Sequence, residues 1–281
     1  MSATRILHII HLRGLDGLNP NNVFSETKRF GKEGKFKASR LETAIQKIIK
    51  ENSSGKDPNE PMSDPLGREA ICRTFVCAKS VHSVATQALL LRTYDSPDEP
   101  AVACKIWEAA RATSAAPTFF KRIEINLGRI MQPFIDGGLG CNNPTLMLLK
   151  EAKVVFPNRR LACVVSIGTG QVKPAHIPRP SPVQRVLPRD VVKALAAIAT
   201  DCEQTNQDML GRFAETPGVY FRFNVEQGMQ TIKLGQWERL SEVSAHTTIY
   251  MTGVETSQRL GEAVKVLKER VGVDAEMFNI M

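Results

Sequence analysis

The chain has 281 residues, of which 42% are hydrophobic and 23% are charged. This length supports one large domain or two small ones with a substantial core, and the apolar fraction excludes disorder throughout. No apolar run approaches the roughly 18 residues of a membrane-spanning helix, so we expect no integral membrane protein. The apolar residues near the start are few and are interrupted by His8 and His11. We therefore expect no signal peptide.

The net charge is +8, from 37 Lys and Arg against 29 Asp and Glu. The basic residues are spread along the chain and aromatic residues make up only 6%. This pattern predicts a solvated basic surface, with contact to an anionic membrane surface as the alternative. A nucleic-acid partner is not expected.

The six cysteines are scattered, without a Cys-x-x-C pair or a histidine at zinc-ligand spacing. We expect reduced, mostly buried thiols in a cytoplasmic protein, with structural disulfides as the alternative. His8 and His11 are three residues apart, but no third ligand is placed near them. The sequence therefore predicts no metal site.

The first elements in chain order are a loop, a helix and a second loop. Residues 14–22 are rich in Gly, Asn and Pro, which is typical of a turn. Apolar residues at three- and four-residue spacing predict a helix over 39–50, with Ser39 as its cap and Glu42 completing a capping box. Residues 52–65 are predicted to form a surface loop.

Short apolar runs then predict buried strands, separated by a helix over 105–112. The most continuous run, residues 161–167, indicates a strand covered on both faces and hence a parallel or mixed sheet. The class is therefore α/β. Further elements are predicted as strands 73–78, 88–94 and 219–224, a proline-rich surface loop 171–188, a helix 191–209, and an amphipathic helix 254–271 with Leu260, Val264 and Leu267 on one face.

Asp136 directly follows an apolar stretch and precedes Gly137 and Gly138. A carboxylate at a strand end, on a turn that glycines let bend sharply, lies where α/β sheets place reacting groups. Such a side chain can act as a general base or can orient one. Most Asp-Gly pairs are nevertheless simple turns.

Several motifs in a fixed order together resemble the later part of a patatin-like phospholipase domain of the fungal type. The resemblance runs from about residue 23 to about residue 267. It implies a three-layer α/β fold around a central, mostly parallel sheet, with an atypical segment 1–22 and an incomplete domain 23–281 that ends in a helical extension. The motifs are Phe36-x-x-x-x-Leu41-Glu42, Ala112-Thr-Ser-Ala-Ala-Pro-Thr-Phe-Phe120, Phe134-Ile-Asp-Gly-Gly138, Asn142-Asn-Pro144, Val165-Ser-Ile-Gly-Thr-Gly170, Tyr220-Phe-Arg-Phe-Asn224 and Ala245-His-Thr-Thr-Ile-Tyr250.

The resemblance implies hydrolysis of lipid acyl esters by a Ser-Asp dyad, without a metal or another cofactor. The serine of a Gly-x-Ser-x-Gly turn attacks the ester, and an early Gly-rich loop stabilises the oxyanion. Asp136 takes the dyad position, and Gly137 and Gly138 form its turn. A serine hydroxyl is a weak nucleophile until such a base removes its proton.

The sequence departs from this pattern because Gly-x-Ser-x-Gly occurs nowhere in the 281 residues. Residues 13–17, Arg-Gly-Leu-Asp-Gly, only weakly resemble the oxyanion loop. Thr169 lies between two glycines after a strand, but the prolines that follow disfavour the helix that a nucleophile turn needs. Ser114 is expected to cap a helix start or pack closely, and His246 to be structural or exposed.

The sequence therefore predicts a patatin-like lipid acyl hydrolase with impaired activity, because the dyad aspartate is present and the nucleophile is absent. The alternative is a catalytically inactive protein that binds lipid or a protein partner, or the product of a truncated gene.

Overall fold

The computed structural model describes residues 34–53, 55–63, 72–83, 87–171, 202–233 and 235–269. It divides into two compact units, Met1–Cys141 and Asn142–Met281. None of the helices in the described ranges is both long enough and apolar enough to span a membrane. The elements are α1 Ala38–Asn52, β1 Phe75–Ser80, β2 Leu89–Arg92, α2 Ile106–Thr113, β3 Ile123–Asn126, β4 Met131–Asp136, α3 Gly138–Cys141, α4 Thr145–Val155, β5 Val164–Ile167, α5 Glu203–Arg212, β6 Tyr220–Phe223, α6 Leu240–Thr252 and α7 Val254–Glu269, with 3-10 turns at Val81–Ser83 and Trp237–Arg239.

The first unit contains a four-stranded sheet in the order β2-β1-β4-β3. All its neighbouring strands are antiparallel. Strand β1 is central: Val76 lies opposite Leu91 on one side, and Ala78 lies opposite Asp136 on the other. The predicted strands 73–78 and 88–94 correspond to β1 and β2.

The antiparallel pairing differs from the mostly parallel sheet that the resemblance implies. Residues 81–88 join β1 to β2, and residues 127–130 join β3 to β4. A parallel crossover needs a dozen or more residues, so connections this short require antiparallel neighbours. Within the described residues, parallel pairing occurs between β5 and β6. The α/β class itself is confirmed.

Helices α1 and α2 supply the core that packs with this sheet. The predicted apolar spacing of α1 places Ile45 and Ile49 in the core, as expected for an amphipathic helix. Ile106 and Ala109 of α2 are fully buried in the same cluster, together with Phe134 of β4. Burial of these side chains is the main favourable contribution to the fold of this unit.

The predicted cap of α1 is wrong. The helix begins at Ala38 after Lys37, so Ser39 lies inside its first turn, and no side chain caps the end. Glu42 instead accepts a hydrogen bond from Arg111 of α2, with Nε and Oε1 3.3 Å apart. Pairing with a buried guanidinium therefore determines the position of Glu42.

The second unit is built on the parallel pair of β5 and β6, in which Val164 lies opposite Tyr220. Leu149 of α4 and Met209 of α5 are buried against these strands. Strand β5 is not covered on both faces as predicted, because Val165 and Ile167 are exposed. By contrast, all four residues of β6 are buried rather than alternating.

The predicted terminal helix corresponds to α7, but its apolar stripe does not form a buried face. Leu260, Val264 and Leu267 are exposed, and the buried residue of α7 is Ala263. The predicted loop 171–188 and most of the predicted helix 191–209 lie outside the described residues.

Arg111 gives a test of how the first unit is held together. Its side chain is fully buried, Nη2 donates to the Lys121 carbonyl oxygen at 2.8 Å, and burial lowers its pKa. Glu42→Gln leaves this charge without its acidic partner, so we expect a loss of about 1–3 kcal/mol in the free energy of unfolding. The partial exposure of Glu42 keeps the loss below that of a fully buried pair. Urea unfolding measures it.

Glu51→Gln on the same helix is the matched control, because Glu51 forms an exposed pair with Lys47. Such pairs contribute at most about 1 kcal/mol, and often nothing measurable. The interpretation of Arg111 is wrong if the two substitutions have equal effects.

Candidate functional site

Asp136 is the last residue of β4, at the strand end where the sequence predicts it. Its backbone N–H donates to the Ala115 carbonyl oxygen at 3.1 Å. Across the sheet it lies opposite Ala78 of β1. The position of Asp136 is therefore fixed both by the sheet and by the small-residue segment that follows α2.

The turn after Asp136 packs directly against β1. A Cβ atom on Gly137 would lie 2.6 Å from the Cys77 carbonyl oxygen, and also too close to the Cys77 Cβ atom. Only glycine fits at this distance, because real Cβ contacts are essentially never that short. The predicted Asp136-Gly137-Gly138 turn is thus required by close approach of two backbones.

The carboxylate of Asp136 lies in a half-buried position. The Gly138 N–H donates to Oδ1 at 2.8 Å. Burial raises the pKa of Asp136, and this backbone hydrogen bond opposes the rise. Oδ2 accepts no hydrogen bond from the described residues, so it is the oxygen that can take a proton.

No hydroxyl group among the described residues hydrogen-bonds to Asp136. Ser114 follows the end of α2 instead of a helix start, and its Oγ donates to the Ala110 carbonyl oxygen at 2.7 Å. It therefore closes the helix rather than serving the carboxylate. Thr169 is exposed and lies between Gly168 and Gly170.

Three reactive or charged side chains missed by the sequence analysis lie around this turn. The Cys77 and Cys141 Sγ atoms are 3.2 Å apart. The charge of Asp136 acts on both thiols, and that of Lys79 acts on Cys141. Cys141 comes five residues after Asp136, which is a sequence signal, but only the register of β1 brings Cys77 to it.

The remaining candidates do not form a second site in the described part of the chain. His246, predicted to be structural or exposed, is a partly exposed residue of α6 whose ring lies next to Gly228. His8, His11 and residues 13–17 lie outside the described residues. The residues that the structure describes contain no group of three or more His, Cys, Asp and Glu side chains able to hold a metal.

Three of the sequence motifs meet in a buried polar cluster of the second unit. Asn143 Oδ1 accepts from the Thr145 hydroxyl, which also contacts Ser166 Oγ at 2.9 Å. Arg222 donates to Ser166 Oγ at 2.8 Å. These bonds tie the start of α4 to β5 and β6, so all three motifs have a structural role.

Comparison with known proteins identifies the family. The family model of the patatin-like phospholipases matches residues 10–149, which include Asp136 and its glycine turn. The chain carries a patatin-like phospholipase domain.

Relatives of this domain carry phospholipase names. The calcium-independent phospholipase A2-gamma of Homo sapiens is 36% identical over 124 residues. Phospholipase A I of Arabidopsis thaliana is 32% identical over 124 residues, and patatin-like phospholipase 1 of Plasmodium falciparum (isolate NF54) is 31% identical over 134 residues. Each match covers 43% of this chain but only 14%, 9% and 20% of the respective relative.

The raised pKa of Asp136 gives a prediction about pH. Because the folded state binds this proton more tightly than the unfolded state, ionisation costs stability as the pH rises through the folded pKa. Asp136→Asn removes the charge and keeps an oxygen that accepts from Gly138. We expect it to raise the Tm at pH 7 by a few degrees.

This gain should shrink as the pH is lowered towards the usual range of an aspartate, which calorimetry over a pH series measures. Asp98→Asn is the control, because Asp98 is exposed and its replacement should leave Tm nearly unchanged at every pH. A lower Tm for Asp136→Asn at pH 7 would contradict the prediction that ionised Asp136 lowers the stability of the fold.

Proposed function

We propose that the chain is a patatin-type lipid acyl hydrolase in which Asp136 holds the dyad position and ester hydrolysis is impaired. The family match, which spans Asp136-Gly137-Gly138, is the observation that supports the activity class. The absence of Gly-x-Ser-x-Gly from the 281 residues supports the impairment. The substrate class is a lipid acyl ester, as the phospholipase names of the relatives suggest.

The geometry of Asp136 supports a role as base. A base must keep a free oxygen and hold a proton more readily than an exposed carboxylate does. Oδ1 is engaged by the Gly138 N–H, which orients the group and leaves Oδ2 to face a hydroxyl. Partial burial raises the pKa of the same carboxyl.

We further propose that residues 23–281 act as one incomplete domain with a C-terminal helical extension, preceded by the atypical segment 1–22. We also propose the three-layer arrangement that the family resemblance implies, and chemistry that needs no cofactor. For the location, we propose the cytoplasm with peripheral contact to membranes. The net charge of +8 favours the membrane contact.

A fluorophosphonate probe tests the impairment, because it forms a covalent bond only with an activated nucleophile. We expect no labelling of the 281-residue chain, and release of fatty acid from phosphatidylcholine at least about 1000-fold below that of an intact serine hydrolase. Both are measured on the purified chain.

Asp136→Asn and Asp98→Asn, the second an exposed control, complete the experiment. Strong labelling that Asp136→Asn abolishes and Asp98→Asn preserves would show that another residue serves as nucleophile. That result overturns the impairment and supports the dyad role of Asp136. Strong labelling that survives Asp136→Asn would overturn both.

The second candidate function is binding without catalysis, to lipid or to a protein partner. The net charge of +8 favours an anionic lipid surface. Co-sedimentation with phosphatidylserine-containing and pure phosphatidylcholine vesicles should show stronger binding to the first at low salt, and the difference should disappear at high salt. Equal binding to both vesicles at low salt would exclude an electrostatic membrane contact.

A further inference from the structure

Two thiols that play no part in the proposed ester hydrolysis contact each other next to the Asp136-Gly137-Gly138 turn. Cys77 is in β1 and Cys141 is the last residue of α3, 64 positions later in the sequence. Their Sγ atoms are 3.2 Å apart. All six cysteines lie within the described residues, and none of them forms a disulfide there.

The backbone holds this pair together from both sides. Gly137 approaches Cys77 so closely that no side chain fits between the turn and β1. The Cys141 N–H then donates to the Gly137 carbonyl oxygen at 3.0 Å, which brings Cys141 back over the same strand. The contact is therefore set by the sheet register and the turn, rather than by two mobile side chains.

The two thiols are not equivalent. Cys141 is partly exposed, whereas Cys77 is buried. The hydrogen bond with Cys77 lowers the pKa of Cys141, and the nearby charge of Lys79 lowers it further, against the opposing effects of burial and Asp136. The hydrogen bond to Cys141 and burial raise the pKa of Cys77. Cys141 is thus the thiol that forms a thiolate and meets a reagent from solvent.

We propose that Cys77 and Cys141 form a dithiol that a hydroperoxide oxidises reversibly to a disulfide. The proposal does not depend on catalysis by Asp136 and goes beyond the proposed function. It assigns Cys141 as the attacking residue and Cys77 as the resolving residue.

The reaction has two balanced steps. The Cys141 thiolate attacks hydrogen peroxide, so that an S–O bond forms, the O–O bond breaks and hydroxide leaves. The Cys77 thiol then gives up its proton as its sulfur attacks the Cys141 sulfur; an S–S bond forms, the S–O bond breaks, and the second hydroxide leaves. With the two thiol protons these hydroxides become two waters, and the two sulfurs together lose two electrons to the peroxide.

The geometry requires little movement for the second step. The Sγ atoms must approach by roughly 1 Å to reach a disulfide bond of about 2.05 Å. The bond would join β1 to the turn that carries Asp136 and would close a long loop in the unfolded chain. Oxidation should therefore stabilise the first unit.

Peptide mapping of the whole chain tests the proposal. After treatment with hydrogen peroxide, alkylation and trypsin digestion, we expect residues 74–79 and 130–150 as one linked species, two hydrogen masses lighter than the separate peptides. Dithiothreitol should release them. The oxidised chain should also have a Tm roughly 5 °C above that of the reduced chain.

Single substitutions separate the two roles. Cys77→Ser should leave a sulfenic acid on Cys141 that dimedone traps, whereas Cys141→Ser should leave Cys77 unmodified. Cys163→Ser is the matched control, because Cys163 is also partly exposed but lies in the other unit, and its chain should form the same link.

The wild-type peptide map decides the matter even if a serine variant fails to fold. Full alkylation of Cys77 and Cys141 after peroxide treatment would overturn the proposal. So would a link from either residue to another cysteine, or dimedone capture on Cys77 in the Cys141→Ser chain. Cys104 gives an internal reference within the same unit, because burial raises its pKa to about 12, and it should stay unoxidised.

Discussion

The close approach of Gly137 to β1 is the constraint on which the candidate site depends. With no side chain at this position, the turn after β4 lies against the Cys77 carbonyl group. The same approach places the Gly138 N–H on Oδ1 of Asp136 and returns Cys141 over Cys77. A single backbone contact therefore orients the carboxylate and also creates the thiol pair.

Arg111 connects several elements of the first unit through its buried side chain. Its guanidinium is fully buried and reaches Glu42 of α1, the Lys121 carbonyl oxygen and the ring of Phe120. A buried charge is tolerated only when it is paired and hydrogen-bonded. These contacts link α1 and α2 to the segment that leads into β3.

Local sequence patterns predicted the features of the fold that depend on residues close together in the chain. Apolar spacing located α1, and the glycine turn located Asp136 at a strand end, because both depend on neighbouring residues. Pairing direction was predictable only in part. The apolar run 161–167 indicated a parallel or mixed sheet, and β5 does pair in parallel with β6. The mostly parallel sheet implied by the resemblance is not seen in the four-stranded sheet, where two short connections require antiparallel neighbours. Glu42 was wrongly assigned to a capping box, and Cys77 was not singled out. In both cases the contacting residue, Arg111 or Cys141, is distant in sequence.

Asp136 also differs from an aspartate that serves only a turn. An Asp-Gly turn needs one side-chain oxygen to accept a backbone N–H, and an exposed carboxylate does this without desolvation. Here the group is partly buried, its pKa is raised, and a single backbone hydrogen bond opposes that rise. No cation forms a salt bridge with it among the described residues. Ionisable groups whose pKa is shifted by burial are frequent at functional sites, which is in keeping with the dyad role proposed for Asp136.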